Sequence, residues 1–570
     1  MYLRSTPRKN KDGSVVRYLQ LAHNVWDPAA KRSTVQVVYN FGREDNTNRA
    51  ALQRLVASVS RFLDPDQALA AAGEGLAFLE SRPVGGVWAL DGLWRRLKID
   101  KTARRLLEGR RRDSCTERVL FALVANRALA PSSKLAAARW VNEDVHIDDL
   151  PATSDDACYR TMDWLLEITD TLQREVFGQV ANLLNLEVDL LFFDTTSTYF
   201  ETGEPDQPVA RDATGAPLPE GEGEGEGEGE HTMRGFRSFG KSKDHRDDLP
   251  QVVIGMAVTR QGIPVRVWCW PGATNDSALI RQVKDDMRDW TLSRIVWVAD
   301  RGFASAENRR YLRKGDHHYI IGEKLRSDSA EAKAALSRQG RYQDVAANLR
   351  VKEVRIAEGE RFVICFNPEA AERDAAVRAH LVAQLDEMIS ASDRLDATKR
   401  AELRGVISTK PGLNRYLRVT PGGLLRIDKQ AIKTEENLDG KYLLRTSDPK
   451  LSTEDIALGY KQLLEVERGW RDMKQVIDLR PVYHRKEERI RAHVVLCWLA
   501  LLLVRIIETT CDATWPTLHR ELDRIKIGTF TGPAGTFRQR TEITKPQRDI
   551  LTALDLPEPP RIYQLTPATP

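Results

Sequence analysis

The sequence predicts an α/β fold: a mixed sheet with helices packed on it, an α+β domain inserted late in that core, and a small β segment and a helical domain ahead of it. Three observations carry this expectation. LEVDLLFFDTTSTYF at Leu186–Phe200 is apolar enough for a central strand. Strand-like runs follow at Gln251–Thr259, Ile263–Trp270, Arg294–Ala299 and His318–Gly322, with helical segments at Asp276–Trp290 and Ala304–Arg313 between them. That rhythm breaks between Lys324 and Asn437 and resumes at Lys441–Arg445.

Residues 1–45 alternate polar and apolar positions around Gly13, which predicts short strands at Val15–Leu21 and Thr34–Asn40. Residues 46–182 have helical spacing. There, Arg104, Arg105, Arg110, Arg111 and Arg112 precede the amphipathic run Thr116–Ala130. Pro131-Ser132-Ser133 interrupts it, and Ser133 is placed to cap a helix starting at Lys134. Two readings fit this segment: a helix-turn-helix that binds DNA ends, or a packing domain with solvated arginines. Residues 183–323 form the first part of the core, interrupted at about 203–232 by a flexible insertion. Its Glu220–Glu230 tract alternates Glu and Gly and has no apolar surface to offset the entropy of ordering.

The inserted domain, 324–440, is expected to hold strands at Val351–Ile356, Phe362–Phe366, Tyr416–Thr420 and Leu424–Ile427 and a charged helix over Pro368–Val406. The second part of the core, 441–510, begins with a strand and a long helix that Ser452 and Asp455 cap and that runs to about Val476. Further helix extends through Ile507. Residues 511–570 are expected to be a tail with its last dozen residues loose.

The chain has 570 residues, enough for roughly four domains at about 150 residues each. Its longest apolar run, Val494–Val504, is closed by His493 and Arg505 and falls short of the roughly 20 residues of a membrane span, so a buried helix is expected. No apolar stretch of a secretory signal follows Met1–Gly13, and six dispersed cysteines without a CxxC pair suit reduced thiols. These features point to a cytoplasmic protein with no membrane partner. The formal charge of +4 rises to +10 once the six glutamates of the Glu/Gly tract are set aside, which suits a polyanionic partner.

Three carboxylates stand out. Asp194 interrupts LLFFD, where an ionised group needs a partner or a metal. Asp300 ends IVWVAD before Arg301-Gly302, at the carboxyl end of a strand, where open sheets bind ligands. Glu467 lies within the long helix. A spacing of seven residues brings Tyr460, Glu467 and Lys474 to one helix face. Each carboxylate alone also fits a structural role, as a turn cap, a partner of Arg301, or a solvated residue beside Arg468 and Arg471.

LFFDTTSTYF, ADRGF at Ala299–Phe303 and YKQLLEVERGWRDMK at Tyr460–Lys474 together resemble the DDE transposases of bacterial insertion sequences. The subgroup concerned has a domain inserted before the glutamate and a helix motif of Tyr, Arg, Glu and Lys. Tyr460, Glu467 and Lys474 fall on that motif, whereas Leu463 stands at the arginine position and leaves Lys461 or Arg468 to replace one phosphate contact. GKSKDHRDDLPQ at Gly240–Gln251, GIPVRVWCWPGATND at Gly262–Asp276 and RPVYHR at Arg480–Arg485 match these transposases too.

The resemblance implies an RNase H-like catalytic core in which Asp194, Asp300 and Glu467 hold two Mg2+ ions, with Mn2+ as a substitute. It implies cleavage of double-stranded DNA at terminal inverted repeats, transfer of the 3'-hydroxyl into target DNA, and a homodimer on DNA in a bacterial, nucleoid-associated setting. Tyr460 and Lys474 would hold the phosphate backbone. Between Arg468 and Arg491, eight Lys and Arg face four acids, among them Arg468, Arg471 and Arg485. A second basic patch carries Lys241, Lys243 and Arg246.

Two alternatives use the same residues: an RNase H-like nuclease or resolvase, and a non-catalytic DNA-binding protein derived from a transposase. The second leaves three costly carboxylates without a purpose. The histidines His317, His318, His484 and His493 lack zinc-ligand spacing and are expected at strand edges or on DNA. Trp268, Trp270, Trp297 and Trp470 are expected in the core.

Overall fold

The computed structural model describes residues 1–28, 30–63, 76–109, 113–183, 190–212, 214–218, 232–288, 290, 295–326, 329–357, 360–532 and 535–567. The Glu220–Glu230 tract and Arg110–Arg112 lie outside the described residues. The chain divides into two units, one of residues 1–81, 526–542 and 560–570, the other of residues 82–525 and 543–559.

The first unit holds an antiparallel sheet of Tyr2–Lys9, Val15–Asp27 and Arg32–Arg43. Its first strand, YLRSTPRK, is too polar to announce itself and is fixed by pairing with the second. A four-stranded sheet runs in the order Ile562–Pro567, Gly535–Arg540, Lys526–Gly532, Ala77–Pro83. This corrects the expectation of a loose C-terminus: Leu565 pairs with Phe537 and Thr566 with Thr536, so a partner strand supplies the hydrogen bonds that a lone Pro-flanked segment lacks.

The second unit is built on a nine-stranded mixed sheet. Its order is Gln343–Ala346, Leu349–Ala357, Glu360–Phe366, Lys441–Thr446, His318–Glu323, Val296–Ala299, Leu190–Tyr199, Gln251–Val258, Pro264–Pro271. Val296–Ala299 runs parallel to both its neighbours; the remaining pairings are antiparallel. The central strand LLFFDTTSTY is buried on both faces apart from Asp194 and Tyr199, so its sequence reads as a continuous run instead of an alternation. Phe193, Trp268, Trp270, Trp297 and Phe303 fill the core on one side. At the edge strand Pro264–Pro271, Gln173 Oε1 accepts the Val267 N–H (2.9 Å) and Arg491 donates to the Cys269 carbonyl (2.5 Å), which blocks further strand pairing.

Residues 324–440 contribute three strands to this same sheet through Lys441–Thr446. Ala332 and Ala335 of the helix Ala330–Ser337 pack on these strands, and the later helices pack around Leu385, Ile407, Leu413 and Leu425. The expected helix over Pro368–Val406 is two, Pro368–Ile389 and Ala397–Ser408, because Asp396 caps the second by accepting the Lys399 N–H (2.8 Å). The flexible insertion expected at 203–232 is also narrower: Val209–Arg211 pairs with Thr232–Arg234, and buried Arg211 binds Glu487 through both nitrogens of its fork (2.8 and 3.1 Å).

Helices Thr116–Leu129, Asp155–Leu183 and Glu487–Cys511 pack on one another, and the last also covers the edge strand. Ser133 caps Lys134–Glu143 by accepting the Ala136 N–H (3.2 Å). Thr116–Leu129 is buried on nearly every side, a core helix in its local role. Arg104 binds buried Glu117 (3.0 Å) and Arg105 binds Glu175 (2.6 Å). Glu487–Cys511 is long and apolar enough to cross a membrane, yet its apolar window is 94% buried inside the fold, as an all-round apolar core helix must be.

Candidate active site

Phe193 on the central strand pairs with Ala299 on the parallel neighbour, so Asp194, midway along its strand, is set beside Asp300, the first residue past the carboxyl end of its own. Neighbouring strands lie about 4.8 Å apart. Asp300 Oδ1 accepts the Gly302 N–H (2.8 Å) and caps the turn Arg301–Phe303, where a Cβ on Gly302 would crowd that oxygen. Phe303 then tucks beneath Phe193, with ring centroids 5.4 Å apart. Burial pushes the Asp194 carboxyl above the usual carboxylate range; the Lys243 ammonium opposes that shift and the charge of Asp300 adds to it.

The expected long helix is broken by one residue, Gln462, into Thr453–Lys461 and Leu463–Gln475. Leu463–Gln475 buries Val466, Gly469, Trp470 and Met473 and packs on the central strand, with Gly469 against Met256, the cross-strand partner of Asp194. Glu467 is exposed on this helix. Arg505 of the buried helix pairs with Asp472 (3.0 Å), and Glu508 pairs with Arg468 (3.4 Å), which fixes the helix from behind.

Tyr460 stacks on Tyr442 (centroids 6.0 Å, 27° between planes), with its hydroxyl over Gly322 and close to the Asp300–Arg301 turn. Burial lifts its phenol to about 12; the charge of Asp300 adds to the rise and that of Glu467 contributes a smaller part. The tyrosine therefore lies in the fields of both carboxylates. Lys474 is largely buried and donates to both oxygens of Asp244 (2.9 and 3.2 Å), which also accepts from Arg480 (3.1 Å).

The Gly240–Arg246 segment crosses the site. The Lys243 N–H donates to Ser197 Oγ (2.9 Å), and Lys243 Nζ donates to the Thr195 carbonyl (2.5 Å) and Thr195 Oγ1 (2.7 Å). The same ammonium lies 3.5 Å from Asp194 Oδ1 and 3.4 Å from Asp276 Oδ2. Thr195 Oγ1 in turn donates to Asp276 (2.9 Å). Asp244 and Asp276 were not singled out in the sequence, although both lie in segments that matched the transposases; their partners are 230 and 81 residues away.

Of the other basic residues, Lys241, Arg471 and Arg485 are exposed, and Lys461 is half-buried. Arg246 pairs with Asp248 (2.8 Å) and lies over the Tyr199 ring. His484 and His493 are buried, a correction to the expected strand-edge or DNA-contact roles; His493 lies on the buried helix Glu487–Cys511 and the His484 ring packs against it, tilted, with centroids 5.5 Å apart. All six cysteines are free.

Among the described residues, no three His, Cys, Asp or Glu side chains stand close enough together to hold an ion. The donor chemistry nonetheless fits a hard divalent cation: Asp194 and Asp300 present carboxylate oxygens side by side, and a cation, the Lys243 ammonium, already stands against Asp194 and Asp276.

A family model described as a transposase DDE domain matches residues 205–503, which include Asp300 and Glu467 and begin just after Asp194. A second, the N-terminal domain of IS1634 family transposases, matches residues 3–70, a stretch whose sequence alone had suggested no family. No curated protein matches the chain. Among solved structures, the chain is similar to a piggyBac transposase synaptic complex with hairpin DNA at 11% identity, over 78% of this chain and 82% of that one, with a TM-score of 0.34.

Proposed function

The chain belongs to the DDE-domain transposases and is a DNA transposase, and on that premise we propose that Asp194, Asp300 and Glu467 are its catalytic carboxylates. The observation that carries this is the pairing of Phe193 with Ala299, which sets Asp194 beside Asp300 under the helix of Glu467. Five strands support an RNase H-like reading of the core: Pro264–Pro271, Gln251–Val258, Leu190–Tyr199, Val296–Ala299 and His318–Glu323, the first three antiparallel and the last two parallel to the central one.

Transposases of this family use divalent metal ions. The three carboxylates would hold two Mg2+ ions, or Mn2+ in their place, which supply activation of the attacking oxygen and stabilisation of the leaving one in an in-line displacement. The chain's own residues bind and orient the DNA. Tyr460 is held by Tyr442 beside the Asp300 turn, and Lys474 is held by Asp244, so both offer fixed contacts to a phosphate entering over Glu467. Lys461 and Arg468 stand near the motif position that Leu463 occupies. Lys241, Arg246, Arg471 and Arg485 extend the basic surface to the backbone on either side, whereas the Lys243 ammonium, expected there too, turns inward to Asp194 and Asp276.

In this reaction water opens the phosphodiester at each terminal inverted repeat, and the freed 3'-hydroxyl attacks target DNA. Residues 46–182 are assigned to recognition of the ends, and two chains act as a homodimer on paired ends in the bacterial cytoplasm, at the nucleoid. Excision in cells of a marker flanked by the DNA that borders this gene tests the reading. The natural chain excises the marker and Asp300→Asn does not; equal excision by both removes Asp300 from the site.

A further inference from the structure

Lys243 occupies a position unlike that of the other basic residues near the site. It comes from a segment more than 40 residues along the chain from Asp194, its backbone N–H is pinned to Ser197 Oγ, and its side chain is 40% exposed. The ammonium nevertheless turns inward. Its contacts are all oxygens: the Thr195 carbonyl, Thr195 Oγ1, Asp194 Oδ1 and Asp276 Oδ2, within 2.5–3.5 Å. Such an all-oxygen set with two carboxylates is what a hard cation selects. Thr195 Oγ1 accepts from Lys243 and donates to Asp276, so the hydroxyl relays the arrangement from strand to helix.

We propose that Lys243 is a built-in placeholder cation, which neutralises Asp194 and Asp276 while metal is absent and must withdraw when a divalent ion takes Asp194. The inference rests on the reading of Asp194 as a metal-holding carboxylate. Without a cation, a partly buried carboxylate beside Asp300 would repel its neighbour and lose the geometry that metal needs. With one fixed in place, the site stays assembled, and its affinity for free metal is held down. The neighbouring Asp244 clamps Lys474 and Arg480, so one short segment bridges the strand of Asp194 and the helix of Glu467. Asp276 is thereby a positioning residue: it acts through Lys243 and Thr195.

Titration of the metal-free full chain with Mn2+, followed by the paramagnetic resonance signal of the free ion, tests this. Lys243→Met removes the competing charge and is expected to bind Mn2+ at least about tenfold more tightly, since a unit charge within 4 Å of the ligand oxygens repels an incoming ion strongly. Lys243→Gln keeps a donor for the Thr195 carbonyl without the charge and should also tighten binding, a safeguard if the methionine variant folds poorly. Lys243→Arg keeps the charge and should stay within about threefold of the natural chain. Asp194→Asn should weaken Mn2+ binding. If Asp194→Asn weakens binding while both neutral Lys243 variants bind no more tightly than the natural chain, the placeholder role is overturned and the carboxylate reading survives. If Asp194→Asn binds as the natural chain does, both fall.

Discussion

Asp194 and Asp300 follow the paired residues Phe193 and Ala299, so two like charges sit at the same level of adjacent parallel strands. Burial and the neighbouring charge both raise the cost of ionising Asp194. A group whose folded pKa is raised stabilises the fold fully only below its unfolded value near 3.8, and that contribution is lost as pH rises through the folded value.

At neutral pH, therefore, Asp194→Asn should leave the metal-free protein as stable as the natural chain or more so. The same change should cut DNA cleavage by about a thousandfold, since losing a metal-holding carboxylate forfeits several kcal/mol of transition-state stabilisation. Thermal unfolding without metal and single-turnover cleavage with it measure the two effects. A lower melting temperature would mean that Asp194 serves the fold.

Gly322 lies under the helix that carries Tyr460, and Gly469 lies on the buried face of the helix that carries Glu467, so added methyl groups meet different neighbours. At Gly322 a Cβ runs into the hydroxyl of Tyr460, whose ring is held by Tyr442; at Gly469 it meets only the flexible end of Met256. Gly322→Ala is expected to cost about 1–3 kcal/mol and to slow cleavage by displacing Tyr460, whereas Gly469→Ala should cost under about 1.5 kcal/mol. Equal effects in denaturant melts and cleavage assays would argue against a fixed Tyr460.

Burial, with the nearby Lys134, Arg127 and, for His484, Arg489, holds His484 down to about 4 and His493 well below its ordinary value. His493 Nε2 faces the Leu479 carbonyl (3.2 Å). Both rings stay neutral in the fold while the unfolded chain takes up protons below about 6.5. Stability is thus complete above pH 6.5 and lost as pH falls toward 4, by on the order of 3 kcal/mol for His484 alone. His484→Asn should flatten urea midpoints across this window; an unchanged slope would contradict the assignment.

Arg211 is 2% exposed and depends on Glu487 for its charge partner. Glu487→Gln should destabilise by about 3–5 kcal/mol, because it strands a buried guanidinium. Chemical denaturation reads this directly, and a loss below about 1 kcal/mol would mean that water or the Gly215 and Arg234 carbonyls suffice.

The strands of the core were legible because burial on both faces writes continuous apolar runs, as at LLFFD and IVWVAD. The buried helix at Glu487–Cys511 and the Ser133 cap were legible for equally local reasons. What escaped depends on partners far along the chain. Tyr2–Lys9 and Ile562–Pro567 become strands only through pairing, and the break at Gln462 leaves no Pro or Gly to mark it. Around the candidate site, sequence spacing drew attention to Asp194, Asp300 and Glu467, but not to Asp276 and Asp244, whose bonds to Thr195 and Lys474 join segments 81 and 230 residues apart.

The most direct measurement is single-turnover cleavage of a labelled duplex ending in the terminal repeat, in Mg2+, by the natural chain, Asp194→Asn, Asp300→Asn and Glu467→Gln. All three variants are expected to fall to background while melting within about 4 °C of the natural chain, since each replaces a carboxylate by an amide of the same shape. A folded Glu467→Gln that cleaves at the natural rate would contradict the assignment of the three carboxylates to one active site.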